Sequence, residues 1–352
     1  MSALGKLSPA AFERLIAPHL GAARPEVLVG PKPGMDSAIV RIGAGRVLAI
    51  TTDPLSIVPA LGLEDSARLA CHLLASDLWT SGIPPAYASV CLNLPPALPD
   101  AELERYVKAL GAEWQRLGVA VIAGHTGRYP GGDSSIVGAA TLIGVGDEGR
   151  HVTSAMAAPG DRVIVTKGCA IEATAIAARM FPGRLAQWLD EAGLERARAL
   201  LARVSVVDDC RILLALGVRD RGVTGLHDAT ESGVLGGLLE LARASGHDVR
   251  VERAKVPLAP EAEAACQAFG GIDPYWTLSE GTLIATVRPE RSAEALAALA
   301  EAGIVAAEVG DVMRGAGVLW LTEPDGRVTP IREPEPDPYW DAYARALREG
   351  WS

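Results

Sequence analysis

Three aspartates early in the chain sit where structural elements are expected to end. Asp36 follows GPKPGM and precedes an apolar run, Asp53 closes the run LAITT, and Asp77 lies in ASDLWTSGIPP. Carboxylates brought from separate loops to one sheet edge are the donors that Mg²⁺ takes, with phosphate oxygens and water completing an octahedron. An aspartate at such a position also caps local backbone N–H groups, so each one alone reads both ways. The loop 30–34 offers backbone N–H groups and Lys32 to a phosphate. Its spacing is not that of a Walker A loop and its prolines remove donors, so a surface turn with a solvated lysine is the simpler reading.

His125 lies in AVIAGHTGRYPGGD at the expected end of a strand, beside Gly124 and Thr126. An imidazole and a hydroxyl in a Gly-flanked loop suit phosphate contact or proton transfer, and equally an ordinary hydrogen-bonded loop histidine. In the second half, GLHDATESGVLGGLLELA groups Asp228, Thr230 and Glu231 at a helix start. They either cap the helix and meet its dipole or form a second ligand site. KGCAIEATAIAA opens another helix, whose N-terminus would favour an anion. Glu280, in LSEGTLIA, is a candidate general acid/base or a turn residue.

The elements that must position these groups follow from periodicity. Helices are expected over 8–20, 64–81, 99–117, 171–180, 183–204, 233–244, 260–269 and 292–302. Ser8 is the N-cap of the first, with Pro9 at its first helical position. Strands are expected over 38–42 and 47–52, joined as a hairpin through Gly43–Gly45, then over 86–94, 119–123 and 135–144. Further strands are expected over 162–166, 223–227, 249–251, 282–287, 305–309 and 318–322. Two αβ halves result, with domains over 1–148 and 149–331. A tail over 332–352, Pro-rich and then aromatic, is expected to pack as a closing helix. The hairpin and the close strand pairs argue against a purely parallel sheet, so the fold class is α+β. No short fixed repeat is present.

Composition excludes several classes. The 352 residues carry a net charge of −10 and are 49% hydrophobic, which describes a globular chain with a sizeable core. An acidic chain without a basic run repels nucleic-acid phosphate, although a divalent cation can still bridge carboxylates to a nucleotide. Five cysteines without a CxxC pair point away from a disulfide framework or a zinc site and toward a reducing cytoplasm. No apolar signal core or membrane-spanning run is evident, so neither a membrane nor a nucleic acid is an expected partner.

Taken in order, VGPKPGMDSAIV, LAITTDPL, ASDLWTSGIPP, AVIAGHTG, PGDRVIVTKG, GLHDATESGVLGGLLELA and DPYWTLSEGTLIA resemble the AIR synthase (PurM-like) superfamily, over about residues 7–322. The superfamily includes aminoimidazole ribonucleotide synthetase, thiamine-monophosphate kinase and selenophosphate synthetase, and the chain is most similar to its HypE-like group. The resemblance implies a homodimer of two-domain subunits, the first domain binding ATP and carrying the dimer contact. It implies Asp36, Asp53 and Asp77 as Mg²⁺ ligands, with Lys32, Gly34, Ser37, Thr52, Gly124 and Thr126 around the nucleotide. His125, Asp228 and Glu280 become the candidate catalytic residues. Activation of an oxygen of a small-molecule or carbamoyl-type substrate is the implied reaction, with a small-molecule kinase or a non-catalytic ATP-binding maturation or sensor protein as alternatives. A maturation-protein partner is a further implication. Two departures stand out. The HypE-type terminal cysteine has no counterpart in Glu349–Ser352, so reaction on the chain's own tail is not expected. Gly124-His125-Thr126 stands where many relatives have Gly-Asp-Thr, which removes one carboxylate.

Overall fold

The computed structural model describes residues 5–132 and 135–352; residues 1–4 of the expected amphipathic N-terminal segment lie outside them. The chain divides into two compact units. The first holds residues 25–30 and 36–151, and the second holds 31–35 and 152–352 together with the N-terminal residues up to Arg24.

The N-terminal helix is shorter than expected: α1 (Pro9–Leu15) is capped by Ser8, and Pro18 lies in a separate 3₁₀ turn. In the first unit, β1 (Val27–Val29) precedes the hairpin β2 (Ala38–Gly43) and β3 (Arg46–Leu55). Then come α2 (Gly62–Trp79), β4 (Pro85–Leu94), α3 (Asp100–Arg116), β5 (Ala120–Arg128) and β6 (Gly138–Asp147). The strand order is β1-β2-β3-β6-β4-β5, and every pair is antiparallel except β4 with β5. Strand alternation sets the core: Val47, Ala49, Thr51 and Leu55 of β3 are buried, as are Ala140 and Leu142 of β6. The alternate residues Leu48, Ile50, Ala139, Thr141 and Ile143 are half-buried.

The second unit opens with β7 (Arg162–Thr166), α4 (Ile171–Met180) and the single turn α5 (Pro182–Leu185). The long helix expected over 183–204 is broken. Asp190 accepts from Gly193 N–H at 2.7 Å and starts a new helix, α6 (Glu191–Ala199). A 3₁₀ turn follows, and then α7 (Val207–Ala215). The remaining elements are β8 (Val223–Ala229), α8 (Gly233–Ser245), β9 (Asp248–Glu252), α9 (Pro260–Ala268), β10 (Thr282–Val287) and α10 (Ser292–Glu301). They continue with β11 (Ala306–Met313), β12 (Leu319–Thr322), β13 (Val328–Ile331) and α11 (Pro338–Arg348). The sheet order is β13-β12-β9-β11-β7-β10-β8, with β12 and β9 the one parallel pair. Val234, Leu235 and Leu238 of α8 pack on Val163, Val165, Ile284 and Val309 of that sheet.

The last helix, α11, is docked through aromatic side chains. Tyr339 is buried, with ring centroids 5.9 Å from Phe269 and 5.6 Å from Tyr343. Asp337 caps the helix through Tyr339 N–H and also accepts from Ser232 N–H, both at 2.9 Å. Trp351 packs on Phe181 and under the Arg184 guanidinium. Among the described residues no helix is long and apolar enough to cross a membrane, and no cysteine is in a disulfide.

Candidate functional site

In the first unit β3 and α2 bring two of the early aspartates, Asp53 and Asp77, to one sheet face, while Asp36 precedes β2. Asp53 is not beyond the strand but within β3, opposite Ala140. It alternates with Thr52, so it shares the helix-covered face with Thr51. Asp77, in the last turn of α2, accepts from the Thr51 hydroxyl at 2.9 Å. Ala38 opposes Ile50; just before β2, Ser37 is buried and Asp36 half-buried. Thr52 lies on the opposite sheet face, 2.9 Å from the Thr141 hydroxyl.

These are oxygen donors of the kind Mg²⁺ takes. Among the described residues, Asp36, Asp53 and Asp77 do not together form a group whose ligand atoms all lie within 4.8 Å of one another. That spacing suits ions bridged by phosphate better than an all-protein cage. Asp77 adds an electrostatic reason for a cation. The negative end of the α2 dipole, where Asp77 sits, favours a cation.

Gly124, His125 and Thr126 are not in a loop after a strand. They continue β5, an exposed edge strand, opposite Val90, Cys91 and Leu92 of β4. Gly124 has a structural requirement of its own, because a Cβ there would run into the Val90 carbonyl oxygen. His125 Nε2 lies 2.7 Å from the Tyr129 hydroxyl.

The second unit holds the other candidates. Lys32 is exposed on a tight turn, its carbonyl accepting from Met35 N–H at 3.2 Å. Gly34 has φ of +79° and packs on α8, where a Cβ would lie 2.9 Å from the Glu240 carbonyl oxygen. Asp228 and Glu280 are both buried at one sheet end, Asp228 on β8 opposite Leu283 and Glu280 just before β10. The adjoining Ser279 N–H donates to the Thr230 carbonyl at 3.1 Å. His227, beside Asp228, was not among the sequence candidates. It is buried, with Nε2 3.0 Å from Glu240 Oε2. Burial would raise the Glu240 carboxyl, but the hydrogen bond from His227 and the charges of Lys6, His227 and Arg243 outweigh it and bring it down to about 2. The only sequence signal for His227 was its place next to Asp228.

The anion expected at the start of α4 finds no open N-terminus. Ala170 N–H is taken by the Ser279 hydroxyl at 2.7 Å, and Glu172 lies buried in the first turn. Burial, with the nearby charges of Glu231 and Asp337, pushes Glu172 up to about 8. Asp337 is pushed up to about 6, chiefly by burial, and burial also raises Glu231. The sign follows from proton linkage. The unfolded chain releases the Glu172 proton near 4.5, whereas the folded chain holds it to about 8. Stability from this group is therefore complete below pH 4.5 and is lost as pH rises to 8, by at most about 1.4 kcal/mol per pH unit. Thermal melts from pH 5.5 to 8.5 should show melting temperature falling with pH, with a flatter slope in Glu172→Gln.

Comparison with known proteins agrees with this architecture. The AIR synthase related protein N-terminal domain family matches residues 34–145, and the corresponding C-terminal domain family matches 158–320. The chain is 28% identical over 293 residues to carbamoyl dehydratase HypE of Rhizobium leguminosarum bv. viciae, covering 80% of this chain and 78% of that one. It is 30% identical to the hydrogenase expression/formation protein HupE of Azotobacter chroococcum mcd 1, covering 80% of each. It is also 30% identical to the selenide, water dikinase of Geobacter metallireducens, covering 72% of this chain and 69% of that one. Among solved structures, the hydrogenase maturation protein HypE in complex with ATP superposes with a TM-score of 0.68 at 25% identity, covering 95% of this chain and 94% of that one. AaThiL complexed with AMPPCP and TMP superposes at 0.70 and 20% identity, covering 95% and 98%, which speaks to the fold. With two matching domains in order and relatives near 30% identity over most of both lengths, the chain belongs to the AIR synthase related family, as an enzyme of PurM-like α+β fold close to HypE.

Proposed function

We propose that the chain is an ATP- and Mg²⁺-dependent enzyme that activates an oxygen of a small-molecule or carbamoyl-type substrate. The observation that carries this reading is Asp77, placed at the negative end of α2 and tied by Thr51 to the sheet face that Asp53 shares. Asp36, Asp53 and Asp77 would hold Mg²⁺, which when bound supplies charge neutralisation to the phosphates of ATP. Ser37 and Thr52 flank those carboxylates, and Gly124, His125 and Thr126 supply N–H, imidazole and hydroxyl groups from β5. Lys32 and Gly34 offer a cation and a tight turn to the nucleotide. Asp228 and Glu280 face the substrate, as acceptor and as proton-transfer group. The part left to the protein in phosphoryl chemistry is chiefly positioning and electrostatic stabilisation. The HypE and HypE–ATP relatives support the reading.

A homodimer is part of the proposal. Helices α2 and α3 cover one face of the first sheet. On β4 and β5, Tyr87, Val121 and Ile122 are exposed, 61% in the case of Ile122. Exposed apolar side chains on these neighbouring strands suit a second copy of the same surface.

The dikinase relative favours a second reading, a small-molecule kinase. The two are separated by following ATP turnover with candidate acceptors by ³¹P NMR. A stable phosphorylated small molecule selects the kinase. Phosphate release coupled to loss of oxygen from the substrate selects activation. ATP binding without turnover would sink both.

A further inference from the structure

His125 and Gly127 alternate near the end of β5, and Tyr129 follows at the next alternate position, one residue past the strand. The middle position is a glycine for a steric reason. A Cβ on residue 127 would lie 2.7 Å from the Tyr129 hydroxyl oxygen and 2.8 and 2.9 Å from two carbons of its ring. The ring folds back over the bare backbone of Gly127, and its hydroxyl meets His125 Nε2 at 2.7 Å. The ring centroids are 6.3 Å apart. The segment presenting Tyr129 is anchored: its N–H donates to the Leu94 carbonyl at 3.0 Å. The Arg128 guanidinium beside it binds Asp100 at 2.6 Å and the Leu98 carbonyl.

Both side chains are exposed. A hydrogen bond between exposed groups competes with water and adds little to stability, so the bond's chief effect is on the imidazole itself. A neutral imidazole has one donor and one acceptor nitrogen, and the bond made by one fixes the role of the other.

We propose that Tyr129 is a positioning residue for His125: its hydroxyl donates to Nε2, fixes the Nδ1–H tautomer and presents that N–H to a phosphoryl oxygen. This rests on the reading of His125 as a residue facing the nucleotide or substrate. Gly127 is the space that makes the arrangement possible.

The test separates the two layers. Long-range ¹H–¹⁵N spectra of the full chain without ligand should show His125 as the Nδ1–H tautomer, and Tyr129→Phe and Gly127→Ala should each abolish that preference. Affinity for ATP–Mg²⁺ should fall about tenfold in Tyr129→Phe. The fall should be absent when Tyr129→Phe is made in a His125→Asn background, where a merely structural tyrosine would still matter. An unchanged tautomer in Tyr129→Phe overturns the proposal, as does an equal fall in both backgrounds. A lost tautomer with unchanged affinity for ATP–Mg²⁺ and for inorganic phosphate keeps Tyr129 as the positioning residue and overturns the phosphoryl contact. A response to ATP–Mg²⁺ alone assigns the oxygen to the nucleotide; a response to inorganic phosphate alone assigns it to the substrate.

Discussion

Asp53→Asn is expected to abolish ATP–Mg²⁺ binding at millimolar nucleotide and to cut turnover by about 10²–10³-fold. Asparagine keeps the size and the hydrogen-bonding capacity of the side chain but removes the charge that would hold the cation. The substitution sits on β3 between Thr52 and Pro54 and leaves the pairing with Ala140 in place. A ligand present at 100 times its Kd stabilises the folded state by about 2.7 kcal/mol, which for a unit of this size raises the melting temperature by about 5 °C or more. Wild type should show that rise with ATP and Mg²⁺ together, and Asp53→Asn should not. Asp147→Asn, at the exposed end of β6 in a loose pair with Arg46, is the control and should behave as wild type. Equal nucleotide-dependent shifts in wild type and Asp53→Asn would remove this aspartate from the site.

Tyr339→Ala is expected to cost about 3–5 kcal/mol of stability, the range for deleting a buried aromatic side chain. Tyr339 is the innermost aromatic residue of α11 and is 2% exposed. Its ring packs edge-on against Phe269, and Trp340 and Tyr343 stand within 5.6 Å of it. Truncation would leave a hole between α11 and the end of α9. Denaturant titration read by tryptophan fluorescence would measure the loss, because Trp340 and Trp351 belong to the same cluster. A loss below about 1 kcal/mol would mean that the hole collapses without cost and that the tail is peripheral to the second unit's core.

Much of the architecture could be read from periodicity because most elements bury one face. The β2–β3 hairpin, α2, β4 and α3 all alternate or repeat in the way their burial requires. Where burial does not decide, the reading failed. β5 is an exposed edge strand carrying Gly124, Thr126 and Gly127, so nothing in its composition marks a strand beyond Ala123. Pairing with Cys91–Leu94 of β4 extends it to Arg128. The helix expected over 183–204 fails for a local reason, the Asp190 cap, which competes with continuing the helix.

The candidate site was legible only as residue types near element ends. The register adds placement: Thr51 joins Asp77 to β3, and Ser279 joins the turn before β10 to the start of α4. The proximity of Glu172, Glu231 and Asp337 had no sequence signal, because residues far apart in the chain meet only through tertiary packing. Tyr129 was invisible for the opposite reason. It lies four residues from His125, just past the strand, and the two come within reach only because Gly127 lies between them.

The short stretch 31–35 belongs with the second unit, while the residues on either side of it belong to the first. The polypeptide therefore passes between the units repeatedly, not once near residue 151. A gene fragment starting at Val152 would leave behind Gly34, which seats on α8, and Lys6, whose N–H meets Glu231. A fragment ending at His151 would carry those residues without the surfaces they cover. The two halves thus form one inseparable coding module. Recombination or domain grafting at the apparent boundary would break both products, and a working chimera would have to exchange residues 31–35 together with the C-terminal half.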